Sequence, residues 1–88
     1  MVWQIEFTAG ARKQLKKMTQ SDAKRIVDFL RQRVSPLSNV RQLGKALQGP
    51  SAGFWRYRVG HFRLVCEIQD DRLVVLVVRV GQRDKVYK

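Results

Sequence analysis

The sequence predicts an α+β fold: an N-terminal strand, a helical hairpin, then a three-stranded antiparallel meander, with both helices packed on one sheet face. Three observations carry that prediction. The first residues alternate between apolar and polar. Two apolar stripes at helical spacing follow, separated by a short polar joint. The last third of the chain holds three strand-like runs punctuated by turn residues.

The elements follow in order. Trp3, Ile5 and Phe7 share one side of a half-buried strand. Thr8 offers a capping hydroxyl to a helix that runs through Met18, with Ala11, Leu15 and Met18 on its apolar side. After Thr19-Gln20-Ser21-Asp22, where either hydroxyl can cap, a second helix carries Ala23, Ile26, Val27, Leu30 and Val34. Pro36 ends it, because proline cannot donate to the helical ladder and pushes Ser35 away from helical geometry. The joint is too short for anything but an antiparallel pair. Ser38 to Gly53 holds three of the six glycines and reads as a loop, with a short strand near Leu43 to Leu47.

The meander begins with Phe54 to Val59, where Trp55, Tyr57 and Val59 oppose Phe54, Arg56 and Arg58. Gly60-His61 forms a two-residue turn, glycine supplying the positive φ. Phe62 to Ile68 sets Phe62, Leu64, Cys66 and Ile68 against Arg63, Val65 and Glu67. After the Asp70-Asp71 turn, Leu73 to Val80 is apolar on both faces until Arg79, the pattern of a central strand. The first strand joins an edge that alternation does not specify.

The 88 residues give room for one domain, taken as 1–88. An apolar fraction of 44% excludes disorder. Eighteen Lys and Arg against seven Asp and Glu leave a net charge of +11, which calls for nucleic acid, an anionic membrane or an acidic protein as partner. One cysteine and one histidine cannot make a disulfide or a structural metal site, so neither metal nor cofactor is expected. The start has no signal-peptide pattern, and the longest apolar run is far short of the ~20 residues that span a bilayer. A cytoplasmic protein with no membrane partner is the expectation.

Strand alternation sorts the cations. Arg56 and Arg58 point the same way, and Arg63 belongs to that open face. Arg79 and Arg83 fall at or just past the end of the central strand, and Tyr87 follows between Lys85 and Lys88. Isolated surface arginines are ordinary, but a face whose one acid is Glu67 favours anion binding. Cys66 belongs to the core, and His61 sits exposed on a turn. The glycines form no phosphate-loop motif, and no carboxylate pair or Ser/His/Asp set is present.

The run Gly53-Phe54-Trp55-Arg56-Tyr57-Arg58-Val59-Gly60-His61-Phe62-Arg63-Leu64-Val65, preceded by Gly44-Lys45-Ala46-Leu47-Gln48-Gly49 and followed by Val80-Gly81-Gln82-Arg83-Asp84-Lys85-Val86-Tyr87, resembles the RelE family of bacterial toxins over essentially the whole chain. That resemblance implies a microbial-RNase-like fold and the toxin role in a type II toxin–antitoxin pair. It implies a metal-free, ribosome-dependent endoribonuclease that cuts messenger RNA in the decoding site and so inhibits translation. The catalytic set falls on Arg56, Arg58, Arg63, Arg83 and Tyr87, with Lys45, His61, Arg79, Lys85 and Lys88 binding RNA. The implied partners are the ribosome, messenger RNA and an acidic RelB-like antitoxin, with operator DNA reached through the antitoxin in co-repression of the operon. Two departures stand out. The basic pair is arginine here where the best-known toxin has lysine, and the chain stops one residue after Tyr87, where some relatives carry a C-terminal helix. Arginine is a poor general base, so Tyr87, its phenolate favoured by nearby cations, is the better candidate for proton acceptor, and it could equally stack on a displaced base. The alternatives are a ParE-like inhibitor of DNA gyrase and an RNA-binding module without chemistry.

Overall fold

The computed structural model of the chain describes residues 2–82. Strand β1 (Gln4–Phe7) is followed by helices α1 (Ala9–Lys16) and α2 (Gln20–Phe29). Strands β2 (Lys45–Ala46), β3 (Trp55–Val59), β4 (Phe62–Gln69) and β5 (Val74–Gln82) complete one sheet in the order β1-β5-β4-β3-β2. β1 runs parallel to β5, and every other neighbouring pair is antiparallel. The edge that alternation left open is therefore settled: β1 lies against β5, which makes β5 a central strand as its two apolar faces require.

The helix starts follow from their caps. Thr8 Oγ1 accepts from the Ala11 N–H, and Thr19 Oγ1 accepts from the Asp22 N–H, each satisfying one orphan donor of the first turn. Past Phe29 the second helix widens into a π turn over Leu30–Val34, closed by Ser35 N–H donating to Leu30 O at 2.8 Å; Ser35 keeps helical geometry (φ −54°, ψ −40°) and is not pushed out of it by Pro36 as expected. Ser35 is buried there because its hydroxyl donates to Trp3 O while its carbonyl accepts from the Trp3 N–H at 2.9 Å. That exchange pins the chain entering β1 to the chain leaving the helical hairpin.

Both helices cover one face, α1 over β5 and α2 over β3. Ala11, Ile26, Leu30 and Val34 from the helical side meet Tyr57, Leu64, Cys66, Val75, Val77 and Val80 from the sheet in one core cluster. Burial drives the Cys66 thiol well above its ordinary pKa, leaving it a small core residue. Tyr57 is also fully buried and donates its hydroxyl to Val40 O at 2.7 Å, which ties the loop after α2 to β3.

One irregularity shapes the rest of the sheet. Val65 of β4 pairs with Arg79, while the next residue, Cys66, pairs with Val77, so Val78 is an extra residue in β5. The facing of β5 reverses across this bulge: Val75 and Val77 point to the core before it, and Val80 after it. Two side chains, the N-cap of α1 and one from its second half, hold the bulged segment. Thr8 Oγ1 donates to Val78 O at 3.2 Å, and Gln14 Oε1 accepts from the Val80 N–H at 2.6 Å. β1 has ended by then, at the Phe7↔Val77 pair, so these side chains stand in for its missing backbone.

Candidate nucleic-acid interface

Directly opposed residues of an antiparallel pair share a sheet face, so the register alone assembles the site. Lys45 pairs with Arg56, Arg56 with Val65, and Val65 with Arg79. The adjoining row runs Arg58 to Arg63 to Gly81. Five cations from four strands therefore stand in two neighbouring rows on the face away from the helices. Rows on one face lie two residues apart along the strand, about 7 Å. Arg58 and Arg63 are directly opposed, an arrangement that disfavours the fold by itself.

The same face is acidic elsewhere. Glu6 of β1 pairs with Leu76, and Leu76 pairs with Glu67 of β4, which places both carboxylates in one row. Glu67 is thus not the one acid of the open face: Glu6 joins it, brought there by the position of β1. Glu6 is already engaged, 3.9 Å from Arg72. The face is consequently polarised, cations toward the β3–β4 turn and carboxylates toward the far end.

Two clefts border the cations. Phe29, Leu43, Gly44, Lys45, Arg56, Tyr57 and Arg58 line one of about 290 Å³ at the β2–β3 edge. Gly44, at φ 80°, lets the chain lie against β3: a Cβ there would collide with Arg56 O, and the Trp55 indole N–H donates to Leu43 O at 2.7 Å beside it. A smaller cleft of about 60 Å³ is lined by Arg58, Gly60, His61 and Arg63. Arg56 Nε is buried with no hydrogen-bond partner. Arg56 as a whole is only half-buried, and a guanidinium donor without a protein partner can bond an arriving anion.

The expected site residues divide cleanly. Arg56, Arg58, Arg63, Lys45 and Arg79 come together, and His61 joins Arg58 and Arg63 at the turn. Arg83, Lys85, Tyr87 and Lys88 lie outside the described residues. Arg79 is not at the strand's end as expected but inside β5, aimed outward by the bulge. A further cation was not anticipated: Arg25 of α2 reaches the Gly60 turn from the helical side. Helical spacing marks Arg25 only as exposed, and the single hint of its destination is that Gly60 leaves room there.

Comparison with known proteins bears on this geometry. The sequence profile of the family described as "ParE toxin of type II toxin-antitoxin system, parDE" matches residues 5–87. The chain is a member of the RelE/ParE superfamily of type II toxins. It is 31% identical over 90 residues to Toxin RelG of Mycobacterium tuberculosis, covering 100% of this chain and 99% of that protein. Among solved structures, the RelBE2 toxin–antitoxin complex of M. tuberculosis matches with TM-score 0.85 and 29% identity over 94% of this chain and 93% of the other. The intact Escherichia coli RelBE complex matches with TM-score 0.61 and 21% identity, over 94% and 99% of the two chains, which is a likeness of fold. The sequence-based expectation of a RelE-like α+β fold agrees with these matches. No helix among the described residues is long and apolar enough to cross a membrane.

Proposed function

We propose that this toxin is an endoribonuclease that cuts messenger RNA on the ribosome, and that an acidic antitoxin holds it inactive. The supporting observation is the two-row cationic patch, with Arg58 facing Arg63 and Arg56 in line with Lys45 and Arg79. Cleavage by a 2′-hydroxyl requires that hydroxyl to lose its proton and requires stabilisation of charge on the phosphorane oxygens. Arginine forks on a rigid sheet suit the second requirement, because their planar donors match phosphate geometry. Arg58 and Arg63 grip the reacting phosphate, Arg56 the neighbouring one, and Arg83 the departing oxygen. Lys45, Arg79, Lys85, Lys88 and His61 follow the rest of the strand. Tyr87 accepts the proton, since the arginines cannot. A site with so few proton-transfer groups gains from a template that orients the RNA, and such orientation is worth about 7–11 kcal/mol in the best intramolecular cases. That is the physical reason for ribosome dependence.

The antitoxin is assigned to the groove between the helices. Leu15, Met18, Ala23 and Val27 form its apolar floor and Lys16, Lys24 and Arg31 its rim, a cleft of about 510 Å³ suited to an acidic amphipathic helix. The toxin in the matched RelBE2 structure is likewise recorded with its antitoxin.

The matched family profile bears the ParE name, so inhibition of DNA gyrase is the second reading. One experiment separates them. Purified protein is added to ribosomes translating a defined message, and to gyrase with relaxed plasmid. New 5′-hydroxyl ends within ribosome-bound message, with free message intact and gyrase active, are the expected result. Blocked gyrase with uncut message overturns the nuclease assignment.

A further inference from the structure

We propose that Arg25 of α2 is a positioning residue of the RNA surface, holding a backbone phosphate beyond the one gripped by Arg58 and Arg63. This rests on the RNA-binding half of the proposed function and not on cleavage. The geometry is specific. Gly60, at φ 58°, is the first residue of the β3–β4 turn, and the Arg25 guanidinium lies against the point where a side chain on it would begin. Nη1, Cζ and Nη2 stand 3.0, 3.1 and 3.1 Å from the position a Cβ on Gly60 would occupy. Near-equal distances to three atoms of a planar group mean that the plane lies flat over that point. A guanidinium laid flat on backbone keeps its N–H donors at its edges, directed into the surroundings. Among the described residues no ion pair reaches Arg25, whereas its neighbour Lys24 is 2.7 Å from Asp28.

The turn beneath Arg25 is the one that carries His61, and it floors the cleft lined by Arg58, Gly60, His61 and Arg63. Gly60 lies two residues beyond Arg58, about 7 Å along the strand direction. Arg25 thus adds a cation at the turn end of the rows, supplied by the helical layer and not itself among the residues that line that cleft. Glycine at position 60 has two physical roles: it adopts the positive φ of the turn, and it leaves the slot that seats the guanidinium.

The test is the salt dependence of binding to a 2′-O-methyl decaribonucleotide, which cannot be cut. Each phosphate contact contributes about 0.7 to the slope of log affinity against log salt for a single strand. Arg25→Ala should lower the slope by about that amount and weaken binding about fivefold at 0.1 M salt. Arg12→Ala on exposed α1 removes the same charge and should leave the slope unchanged. Gly60→Ala, which crowds the guanidinium by a few tenths of an ångström without altering charge, should lower the slope by less than Arg25→Ala does, and the double variant should be no worse than Arg25→Ala. Gly60→Ala strains its turn, so Arg25→Lys is the second measure: it keeps charge without the flat fork and should recover only part of the slope. An Arg25→Ala slope equal to that of wild type or Arg12→Ala overturns the proposal, as does wild-type protein that shows no salt-dependent RNA binding. An unchanged RNA slope with weakened antitoxin binding would assign the guanidinium to the protein partner and equally overturn it. Wild-type protein that binds this RNA but cuts no message refutes the nuclease assignment and leaves Arg25 in place.

Discussion

Arg58→Gln should make the protein more stable and less active at once. Arg58 and Arg63 are paired across β3 and β4, where opposed Cα atoms are about 4.5–5.5 Å apart. Two charges about 6 Å apart in water repel by 332/(80 × 6), about 0.7 kcal/mol. That agrees with the roughly 0.2–1 kcal/mol span of cross-strand pair effects. Arg58 is exposed, so its stem contributes little packing, and glutamine retains part of it. A net gain of about 0.5 kcal/mol should raise Tm by about 2–4 °C for a chain of this length. The gain is Coulombic and should nearly vanish at 1 M NaCl, where the screening length falls to about 3 Å. Circular dichroism melts at 20 mM and 1 M NaCl measure both quantities. Single-turnover cleavage on ribosomes should meanwhile fall about tenfold to a thousandfold, as when one charge-stabilising donor is lost. A variant that melts below wild type at low salt, or whose gain survives 1 M salt, would refute the repulsion argument.

Arg63→Ala and Arg83→Ala should each slow single-turnover cleavage by a factor of about ten to a thousand, with ribosome affinity little changed. Arg12→Ala is the control, and an equal effect there would reduce the cluster to general electrostatics. Gln14→Leu should destabilise the fold by about 1–3 kcal/mol in urea titration, because the Val80 N–H loses its 2.6 Å acceptor in a partly buried position. The Arg41 guanidinium, bonded to both Asp70 oxygens at 2.9 Å, holds that carboxyl below its ordinary pKa. A depressed carboxylate stabilises the fold above its unfolded pKa of about 3.9, and loses that effect as pH falls through the folded value. Any Tm difference between wild type and Arg41→Gln at pH 6 should therefore close by pH 2, and a difference that persists in acid would refute the assignment.

Local chemistry explains what could be read in the sequence. The helix caps, the Gly60-His61 turn and the inward set of Trp55, Tyr57, Leu64 and Cys66 depend on neighbours within a few residues. The grouping of Arg56, Arg58 and Arg63 follows from period two and one turn, so it was legible as well. What needed tertiary structure was less accessible. Nothing local says that β1 pairs in parallel with β5, a contact between residues about 70 apart, and Glu6 reaches the cationic strands' face only through that pairing. Leu73 at φ 52° ends the β4–β5 turn in a conformation that leucine rarely adopts, so residue type gives no warning. The π turn at Leu30–Val34 is equally silent, since Leu30 and Val34 suit an ordinary helix. Arg25 reaches Gly60 across two layers, and helical spacing cannot foresee that.

Arg79 shows how a misleading pattern contains its own correction. Unbroken alternation through Val75 and Val77 would place Arg79 in the core and turn Val80 outward. Burying an unpaired guanidinium costs several kcal/mol, far more than one disturbed ladder position. The register therefore slips by one residue at Val78, which sends Arg79 to the open face beside Val65 and returns Val80 to the core. A slip of this kind leaves backbone groups without strand partners, and here they are met by α1: Thr8 at the Val78 carbonyl and Gln14 at the Val80 N–H, one on each side of Arg79. The helix that packs on one face thus decides which residue is presented on the other. A charged residue at an inward position of an otherwise apolar strand, flanked by valines, is the sequence signal for such a bulge, and it aims the residue that the strand could not bury.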